Sequence, residues 1–229
     1  MPGILYAIPT PLGGAAAGAL PALALEKVKS LRHFVVENAK TARAFLKDVG
    51  MPCPLQELDI ATIDADFSIA IRKLQEGESI GLLSEAGCPA VADPGAELVA
   101  AAHAAGIRVV PLVGPSSIVL ALMASGLEGQ RFAFCGYLPR EAEERKKKIR
   151  ELEARSRRER ETQIFIETPY RNEVMLGALI EVLSESTRLC VAADLTGEQE
   201  VVRTKSIAQW RRHRESIGKR PAVFLLLSE

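Results

Sequence analysis

Two long turns rich in glycine and proline carry the residues best placed to bind a small molecule. The first reads SEAGCPAVADPG and spans Ser84–Gly95, and the second reads VVPLVGPSSIVLALMASG and spans Val109–Gly126. Each turn begins at the end of an apolar run of strand type and leads into a helix-like segment. Small molecules bind open α/β sheets at the edge where parallel strands end in such turns. The two turns therefore predict one shared binding crevice.

Small residues in these turns favour a binding site over a plain connection. Gly87 and Gly114 allow a ligand to approach the backbone closely. A bulky side chain at either position is expected to block the ligand and leave the fold intact. Ser116 and Ser117 are placed to cap a helix or to bond the ligand, and both roles are compatible. Glycine and proline also punctuate ordinary connections between helices and strands, which is the competing interpretation.

Three charged residues are candidates for chemistry at this edge. Glu37 and Glu167 each end an apolar run, HFVVE and TQIFIE, so either carboxylate is placed to act as a general base. A salt bridge or a helix cap is an equally good expectation for both. Arg171 has the fork geometry to hold a phosphate, or it pairs with a glutamate. Cys88 is expected to pack rather than to react, and no Ser-His-Asp or Cys-His arrangement supports a hydrolase.

The composition of the 229 residues is that of a globular protein, with 48% hydrophobic and 25% charged residues. We find no charge-free apolar run of about 20 residues, so no membrane span is expected. The amino-terminal MPGILYAIPTP lacks a basic region and reads as a first strand, which predicts a cytoplasmic protein. The four cysteines and three histidines are scattered along the chain. We therefore expect no disulfide and no metal site.

Basic residues are concentrated in two segments of a chain whose net charge is zero. Arg140–Arg160 carries ten Lys and Arg against six Asp and Glu, and Trp210–Arg220 carries five against one. Such asymmetry predicts a polyanionic partner. The expected phosphate-facing rim for a structured RNA is Arg145–Lys148, Arg155–Arg160 and Arg211–Arg214. The alternative is a solvated helix face on which opposite charges alternate.

Strands and helices alternate along the first half of the chain, from the strand Gly3–Ile8 to the strand Ile107–Val110. This alternation predicts a parallel sheet covered on both faces. Gln56–Ile60 is predicted as a weak strand within it. In the second half, Arg188–Asp194 and Glu200–Thr204 are predicted to pair as an antiparallel hairpin, so that sheet is mixed. The predicted domains are residues 1–112 and 113–229.

Four motifs occur in the order found in one known family: PTPLG, SEAGCPAVADPG, PLVGPSSIVLALMASGL and FIETPYR. With them the chain resembles the tetrapyrrole methylase superfamily of S-adenosylmethionine-dependent methyltransferases. Within it, the chain is most similar to the family that methylates ribose 2′-hydroxyls of small-subunit rRNA. The resemblance implies two α/β domains with a cofactor cleft between them. It also implies S-adenosylmethionine as cofactor, rRNA or the small ribosomal subunit as partner, and a homodimer.

The resemblance also implies roles for particular residues. The expected catalytic residues are Glu37, Glu167 and Arg171. The expected cofactor-binding residues are Pro11, Ala86, Gly87, Cys88, Val91, Gly114, Ser116, Ser117, Ala193, Asp194 and Pro221.

The motifs depart from the rRNA family at several positions. Glu85 and Cys88 stand where that family usually has Asp and Thr, and residues 37–40 read ENAK where it usually reads EDTR. Tyr170 precedes Arg171 where the family usually has His. The family's small carboxyl-terminal extension has no counterpart in the sequence. A divergent relative is expected, and a methyltransferase for a tetrapyrrole or another small molecule, or a cofactor-binding protein without catalysis, stays open.

Overall fold

The computed structural model describes residues 1–63 and 66–228. The chain forms two compact units, Met1–Ser116 and Ser117–Glu229. The boundary lies a few residues after the predicted division between residues 112 and 113. Each unit contains a five-stranded sheet and has its own hydrophobic core.

The first unit is built on a parallel sheet, as the alternation of strands and helices predicts. The strand order is β3-β2-β4-β1-β5. Its strands are β1 (Ile4–Ile8), β2 (His33–Val36), β3 (Asp59–Thr62), β4 (Ile80–Leu83) and β5 (Arg108–Pro111). Its helices are α1 (Ala16–Ala19), α2 (Ala22–Ser30), α3 (Ala39–Val49), α4 (Ser68–Gln75) and α5 (Ala96–Ala104).

Both faces of this sheet are buried, because successive strand residues point to opposite sides. In β1, Leu5 packs in the core that contains Leu74 of α4 and Leu98 of α5. Its neighbour Tyr6 packs in the core that contains Val28 of α2 and Leu46 of α3. Helices α2 and α3 therefore cover one face, and α4 and α5 cover the other.

Two local features differ from the sequence-based expectation. The weak strand predicted at Gln56–Ile60 begins later, as β3, because Leu55–Glu57 after Pro54 forms one turn of 3₁₀ helix. The short helix α1 was not predicted. A residue 32 positions later in the chain stabilises its first turn, because the backbone N–H of Ala16 donates to Asp48 Oδ2 at 2.6 Å.

The second unit is built on a mixed sheet with the order β6-β7-β10-β8-β9. Strands β6 and β7 are parallel, and β10 runs antiparallel between β7 and β8. The predicted β8–β9 hairpin is present. The strands are β6 (Phe132–Tyr137), β7 (Thr162–Glu167), β8 (Arg188–Ala193), β9 (Val201–Ser206) and β10 (Ala222–Leu227). The helices are α6 (Ser117–Ser125), α7 (Ala142–Glu159), α8 (Asn172–Val182) and α9 (Ile207–Arg212).

The helices of the second unit are divided between the two faces of the sheet. Phe165 of β7 and Phe224 of β10 stack with ring centroids 5.7 Å apart, in a core shared with α7, α8 and α9. Trp210 of α9 is buried there and donates its indole N–H to the carbonyl of Leu189. Helix α6 packs against β8, β9 and β10. In the part of the chain that the structure describes, no helix is both long and apolar enough to cross a membrane.

Candidate functional site

The first unit has a topological switch point between two neighbouring strands of its sheet. Strands β1 and β4 are neighbours, but the chain leaves β1 towards β2 and leaves β4 towards β5. The helices that follow these strands therefore lie on opposite faces of the sheet. The carboxyl ends of such a strand pair border a crevice, which is where open α/β sheets bind ligands.

Backbone hydrogen bonds tie the two turns at this crevice together. Thr10, in the turn after β1, donates its N–H to the carbonyl of Gly87 at 2.9 Å, and the Gly87 N–H donates to the Thr10 carbonyl at 3.0 Å. Gly87 has φ +81°, a left-handed conformation that favours glycine. The PTPLG and SEAGCPAVADPG motifs thus form one structure at the carboxyl edge of the sheet, with Pro11 next to the bridge.

The turn after β4 contains strained backbone. Ala90 and Ala92 both have φ +65°, which is rare for residues with a side chain and costs about 1–2 kcal/mol each. Between them, Val91 is 47% exposed, an unusual position for a large apolar side chain, and Ala86 is exposed as well. Strain of this kind is concentrated at ligand-binding and catalytic loops. The turn therefore has the character of a binding loop rather than of a connection.

Gly114 is required by packing. A Cβ at this position would lie 2.4 Å from Cβ of Pro9 and 2.8 Å from Cδ2 of Leu20. The expectation that a bulky residue at Gly114 leaves the fold intact therefore fails. Ser116 is half-buried and has interaction partners, and Ser117 is the first residue of α6.

Cys88 has the packing role that the sequence suggests. Its Sγ donates to the carbonyl of Pro115 at 3.4 Å, which joins the turn after β4 to the turn after β5. Burial raises the pKa of the Cys88 thiol above its usual value. The thiol therefore stays protonated at neutral pH, and the thiolate needed of a nucleophile is scarce.

Glu37 follows β2 and faces the turn after β4. Its Oε2 accepts the backbone N–H of Glu85 at 3.2 Å. Helix α3 is capped by Asn38 instead, whose Oδ1 accepts the Lys40 N–H at 2.9 Å. Within residues 1–63 and 66–228 Glu37 has no ion-pair partner, so the salt bridge and the helix cap are not observed there. Burial raises the pKa of Glu37, as does repulsion from Asp93 and Glu85, while the Glu85 N–H opposes the shift.

In the second unit, three predicted segments meet at the carboxyl ends of β7 and β8. Ala222, the first residue of β10, is in register with Glu167 on one side and with Ala193 on the other. The Asp194 N–H donates to the carbonyl of Pro221 at 2.9 Å. Glu167, Ala193, Asp194 and Pro221 are therefore neighbours at one edge of this sheet.

Glu167 and Arg171 form the ion pair that the sequence left as an alternative. Glu167 Oε2 lies 3.2 Å from Arg171 Nη2, and the Glu167 side chain is only 2% exposed. Its Oε1 accepts the Thr168 N–H at 2.8 Å. Arg171 Nη2 also lies 3.5 Å from the carbonyl of Pro139. Both charged groups thus hold the turn after β7 in place.

The turn after β8 is held by its own aspartate. Asp194 Oδ2 accepts the Gln199 N–H at 2.8 Å, and its carbonyl accepts the Gly197 N–H at 2.8 Å. Asp194 and Thr196 have φ +53° and +65°, so this turn is strained in the same manner as the turn after β4. A Cβ at Gly197 would lie 2.4 Å from the Asp194 carboxylate, which explains the glycine.

Asn172 is a site residue that the sequence reasoning missed. It is completely buried, and its Nδ2 donates to the carbonyls of Gly218 and Arg220 at 3.1 and 2.7 Å. Among the residues that the structure describes, its Oδ1 has no hydrogen-bond partner. The side chain thereby joins the turn after β7 to the segment before Pro221. An asparagine at the start of a helix usually indicates only a cap, so the sequence carried no signal for this role.

Most of the predicted basic rim is neutralised. Arg145 is buried and donates to the carbonyl of Arg140 at 2.6 Å. Other cations of the rim have carboxylate partners, namely Lys146 with Glu181, Lys148 with Glu151, Arg155 with Glu161, Arg158 with Glu159, Arg211 with Glu185 and Arg214 with Glu173. Alternation of charge along one helix accounts for Lys148 and Arg158, whereas the other partners lie outside that helix. Within the described ranges, no group of three His, Cys, Asp or Glu side chains could hold a metal ion.

Comparison with known proteins identifies the family. The model of the Tetrapyrrole (Corrin/Porphyrin) Methylases matches residues 5–210, which is most of the chain. The chain belongs to this family. It is a methyltransferase-family enzyme, and the family uses S-adenosylmethionine as its methyl donor.

Relatives with high coverage share one name. Ribosomal RNA small subunit methyltransferase I of Escherichia coli O157:H7 is 33% identical over 98% of this methylase and 77% of its own length. The protein of that name from Vibrio cholerae is 34% identical over 90% and 69%. Among solved structures, uroporphyrin-III-C-methyltransferase of Thermus thermophilus covers 98% of the chain with a TM-score of 0.56 and 21% identity. This last likeness confirms the predicted fold and carries nothing about substrate.

Proposed function

We propose that this methylase transfers a methyl group from S-adenosylmethionine to small-subunit rRNA, at a ribose 2′-hydroxyl. The observation that carries the proposal is the identity of about one third, over nearly the whole chain, to proteins named ribosomal RNA small subunit methyltransferase I.

In this proposal the cofactor is held by residues of the turns already described. The residues are Pro11, Ala86, Gly87, Cys88, Val91, Gly114, Ser116, Ser117, Ala193, Asp194 and Pro221. Two features support the assignment. The turns after β4 and β8 contain left-handed alanine, aspartate and threonine residues, and the buried Oδ1 of Asn172 lacks a partner among the described residues. When bound, the cofactor supplies a methyl group on a sulfonium sulfur.

The protein's contribution to such a displacement is mainly alignment and exclusion of water, which is worth about 7–11 kcal/mol when reacting atoms are held in line. Glu37 is the proposed general base for the hydroxyl. It lies at the carboxyl edge of the first sheet, and burial raises its pKa towards the working pH. Glu167 and Arg171 are assigned a positioning role, because their side chains form an ion pair with each other.

Two measurements on the purified protein test the proposal. Titration calorimetry with S-adenosylhomocysteine is expected to show stoichiometric binding. Incubation with labelled S-adenosylmethionine is expected to transfer label to 30S subunits that lack the modification, and the label is expected on ribose after nuclease digestion. Free tetrapyrroles serve as the alternative acceptor. Label on a tetrapyrrole and none on 30S subunits would replace the proposal with the small-molecule alternative.

We also propose that two copies of the chain associate through α6. All nine residues of this helix are apolar or small, a composition typical of a helix buried on every side. Yet Val119 and Met123, four residues apart on one face, are 50% and 76% exposed. A second copy covering this face explains both facts.

Light scattering after size exclusion tests the association. The wild-type protein is expected to have twice the mass of one chain, and Met123→Glu is expected to give the mass of one chain, because it places a charge in the buried interface. Glu26→Lys, an exposed change on α2, is the matched control and should leave the mass unchanged. A monomeric wild type contradicts the proposal.

A further inference from the structure

A cavity of about 650 Å³ lies in the second unit, at the opposite end of the sheet from the turns described above. We call it the arginine cavity, defined by the side chains of Arg157, Arg160 and Arg188. Its other lining residues are Gly126, Leu127, Glu128, Leu227 and Ser228. Arg188 begins β8, and Arg157 and Arg160 precede β7, so the cavity lies at the amino ends of these strands.

Two of the arginines are positioned by the surrounding protein. Arg157 Nη2 donates to Ser228 Oγ at 3.0 Å, and Arg188 Nη1 donates to the carbonyl of Gly126 at 3.4 Å. Ser228 is itself fixed, because its backbone N–H donates to Ser156 Oγ at 3.0 Å. The guanidinium groups are therefore oriented before any ligand arrives, which lowers the entropic cost of binding.

Arg160 is the residue of this cavity that needs a partner. It ends α7 in a left-handed conformation with φ +51° and is exposed. Within residues 1–63 and 66–228 its guanidinium has no ion pair or hydrogen bond. Glu128 also lines the cavity, but its Oε1 accepts the Gln130 N–H at 2.7 Å and it forms no ion pair with Arg160.

The surroundings of the cavity are also positive. Arg131 and Arg158 share a single carboxylate, that of Glu159, at 3.4 and 2.8 Å. This contrasts with the rest of the predicted basic rim, where most of the cations have a carboxylate of their own. Together with the lining residues, five arginines around the cavity stand against the carboxylates of Glu128 and Glu159 among the described residues.

We propose that the arginine cavity binds a backbone phosphate of the RNA substrate, remote from the site of methyl transfer. The inference rests on the proposed function and adds a second point of contact between the protein and the RNA. Guanidinium groups bind phosphate oxygens through paired charge-assisted hydrogen bonds, which suits a cavity with three of them. The distance along β7 from Thr162, at the end of the strand near the cavity, to Glu167 at its other end is five residues. This is about 17 Å at 3.3 Å per residue. A stacked strand rising 3.4 Å per nucleotide spans that distance in about five steps.

Filter binding of 30S subunits over a salt series tests the site. Arg157→Gln/Arg160→Gln is expected to weaken binding about tenfold or more at low salt. It is also expected to reduce the slope of log affinity against log salt by about 1–2, because each phosphate that the protein no longer neutralises lowers this slope by about 1. Arg150→Gln removes one charge from the exposed surface of α7, so it is matched to the single variant Arg160→Gln, and it should change neither quantity. Affinity for S-adenosylhomocysteine and the unfolding curve are expected to match wild type for all variants.

The single variant Arg160→Gln serves if the double variant fails to fold, because the Arg160 guanidinium makes no hydrogen bond or ion pair among the described residues. It is expected to raise KM for 30S subunits and to leave kcat unchanged, since the cavity lies away from the reacting atoms. Wild-type affinity and salt slope in this variant would overturn the inference, as would a wild-type protein without affinity for 30S subunits. If the wild-type protein methylates 30S subunits and Arg160→Gln binds them as tightly as wild type, the phosphate-binding role of the cavity is wrong and the proposed function stands.

Discussion

Replacing Glu37 by glutamine is expected to slow methyl transfer to 30S subunits at least about 100-fold. A general base contributes about 10²–10⁴-fold when it accepts a proton from the attacking hydroxyl, and an amide cannot accept that proton. Glutamine keeps the size of the side chain, and its carbonyl oxygen can still accept the Glu85 N–H. The loss is therefore expected in kcat, with affinity for S-adenosylhomocysteine unchanged.

The pH dependence of the reaction is expected to show the same role of Glu37 as a base. Burial and the nearby Asp93 and Glu85 raise the pKa of Glu37 above its usual value. The base works only when ionised, so the wild-type rate is expected to fall as pH falls through this raised pKa. Glu37→Asp retains a carboxylate and should keep an acidic limb at a lower rate, whereas Glu37→Gln should lose the limb.

A matched change elsewhere separates catalysis from general damage. Glu97→Gln alters an exposed glutamate in the first turn of α5 and is expected to leave the rate and its pH profile unchanged. Wild-type kcat in Glu37→Gln would remove Glu37 from the chemistry. The base would then be sought elsewhere, and Asp93, whose pKa is also raised by burial, is the next carboxylate at this edge of the sheet.

The sequence predicted the fold well because its signals are local and repeated. Apolar runs such as GESIGLL and the gaps between them are sufficient for a parallel sheet in the first half of the chain. The β8–β9 hairpin followed from the short separation of two strand-like runs around Thr196. The family resemblance added the expectation of two α/β units, which the structure and the comparisons confirm.

The interactions within the site were less predictable, because they join residues far apart in the chain. Nothing near Asn172 indicates that its amide meets the carbonyls of Gly218 and Arg220, 46 and 48 residues later. The partners of the basic residues were equally hidden. Lys146 is paired with Glu181 from α8, so counting charges along α7 overestimated the positive surface.

Gly114 shows how a local rule leads to the wrong conclusion when packing decides. A glycine in a turn beside a ligand site suggests close approach by the ligand. Here the missing side chain makes room for Pro9 and Leu20 of the same unit, at distances that no Cβ tolerates. The turn after β5 is thereby packed closely against the turn after β1, and the glycine is required by packing within the unit.

Gly114→Ala is accordingly expected to lower the free energy of unfolding by about 2–3 kcal/mol, and Gly114→Val by more, because overpacking forces backbone shifts. Urea denaturation followed by circular dichroism measures the change. Gly18→Ala in α1 is the matched control. Its Cβ would meet nothing within 4 Å, and alanine favours the helix by about 0.5–1 kcal/mol.

The same comparison decides what a loss of cofactor binding would mean. If Gly114→Ala is as stable as wild type and still fails to bind S-adenosylhomocysteine, the glycine makes room for the ligand and the packing explanation is wrong. If stability falls as expected, weaker binding follows from displacement of the turn by Pro9. Gly87→Ala is a second probe of ligand approach, and its unfolding curve needs the same comparison. A Cβ there would be 3.3 Å from Leu12 Cδ2, the far end of a side chain that can move, but the φ of +81° strains any residue with a side chain.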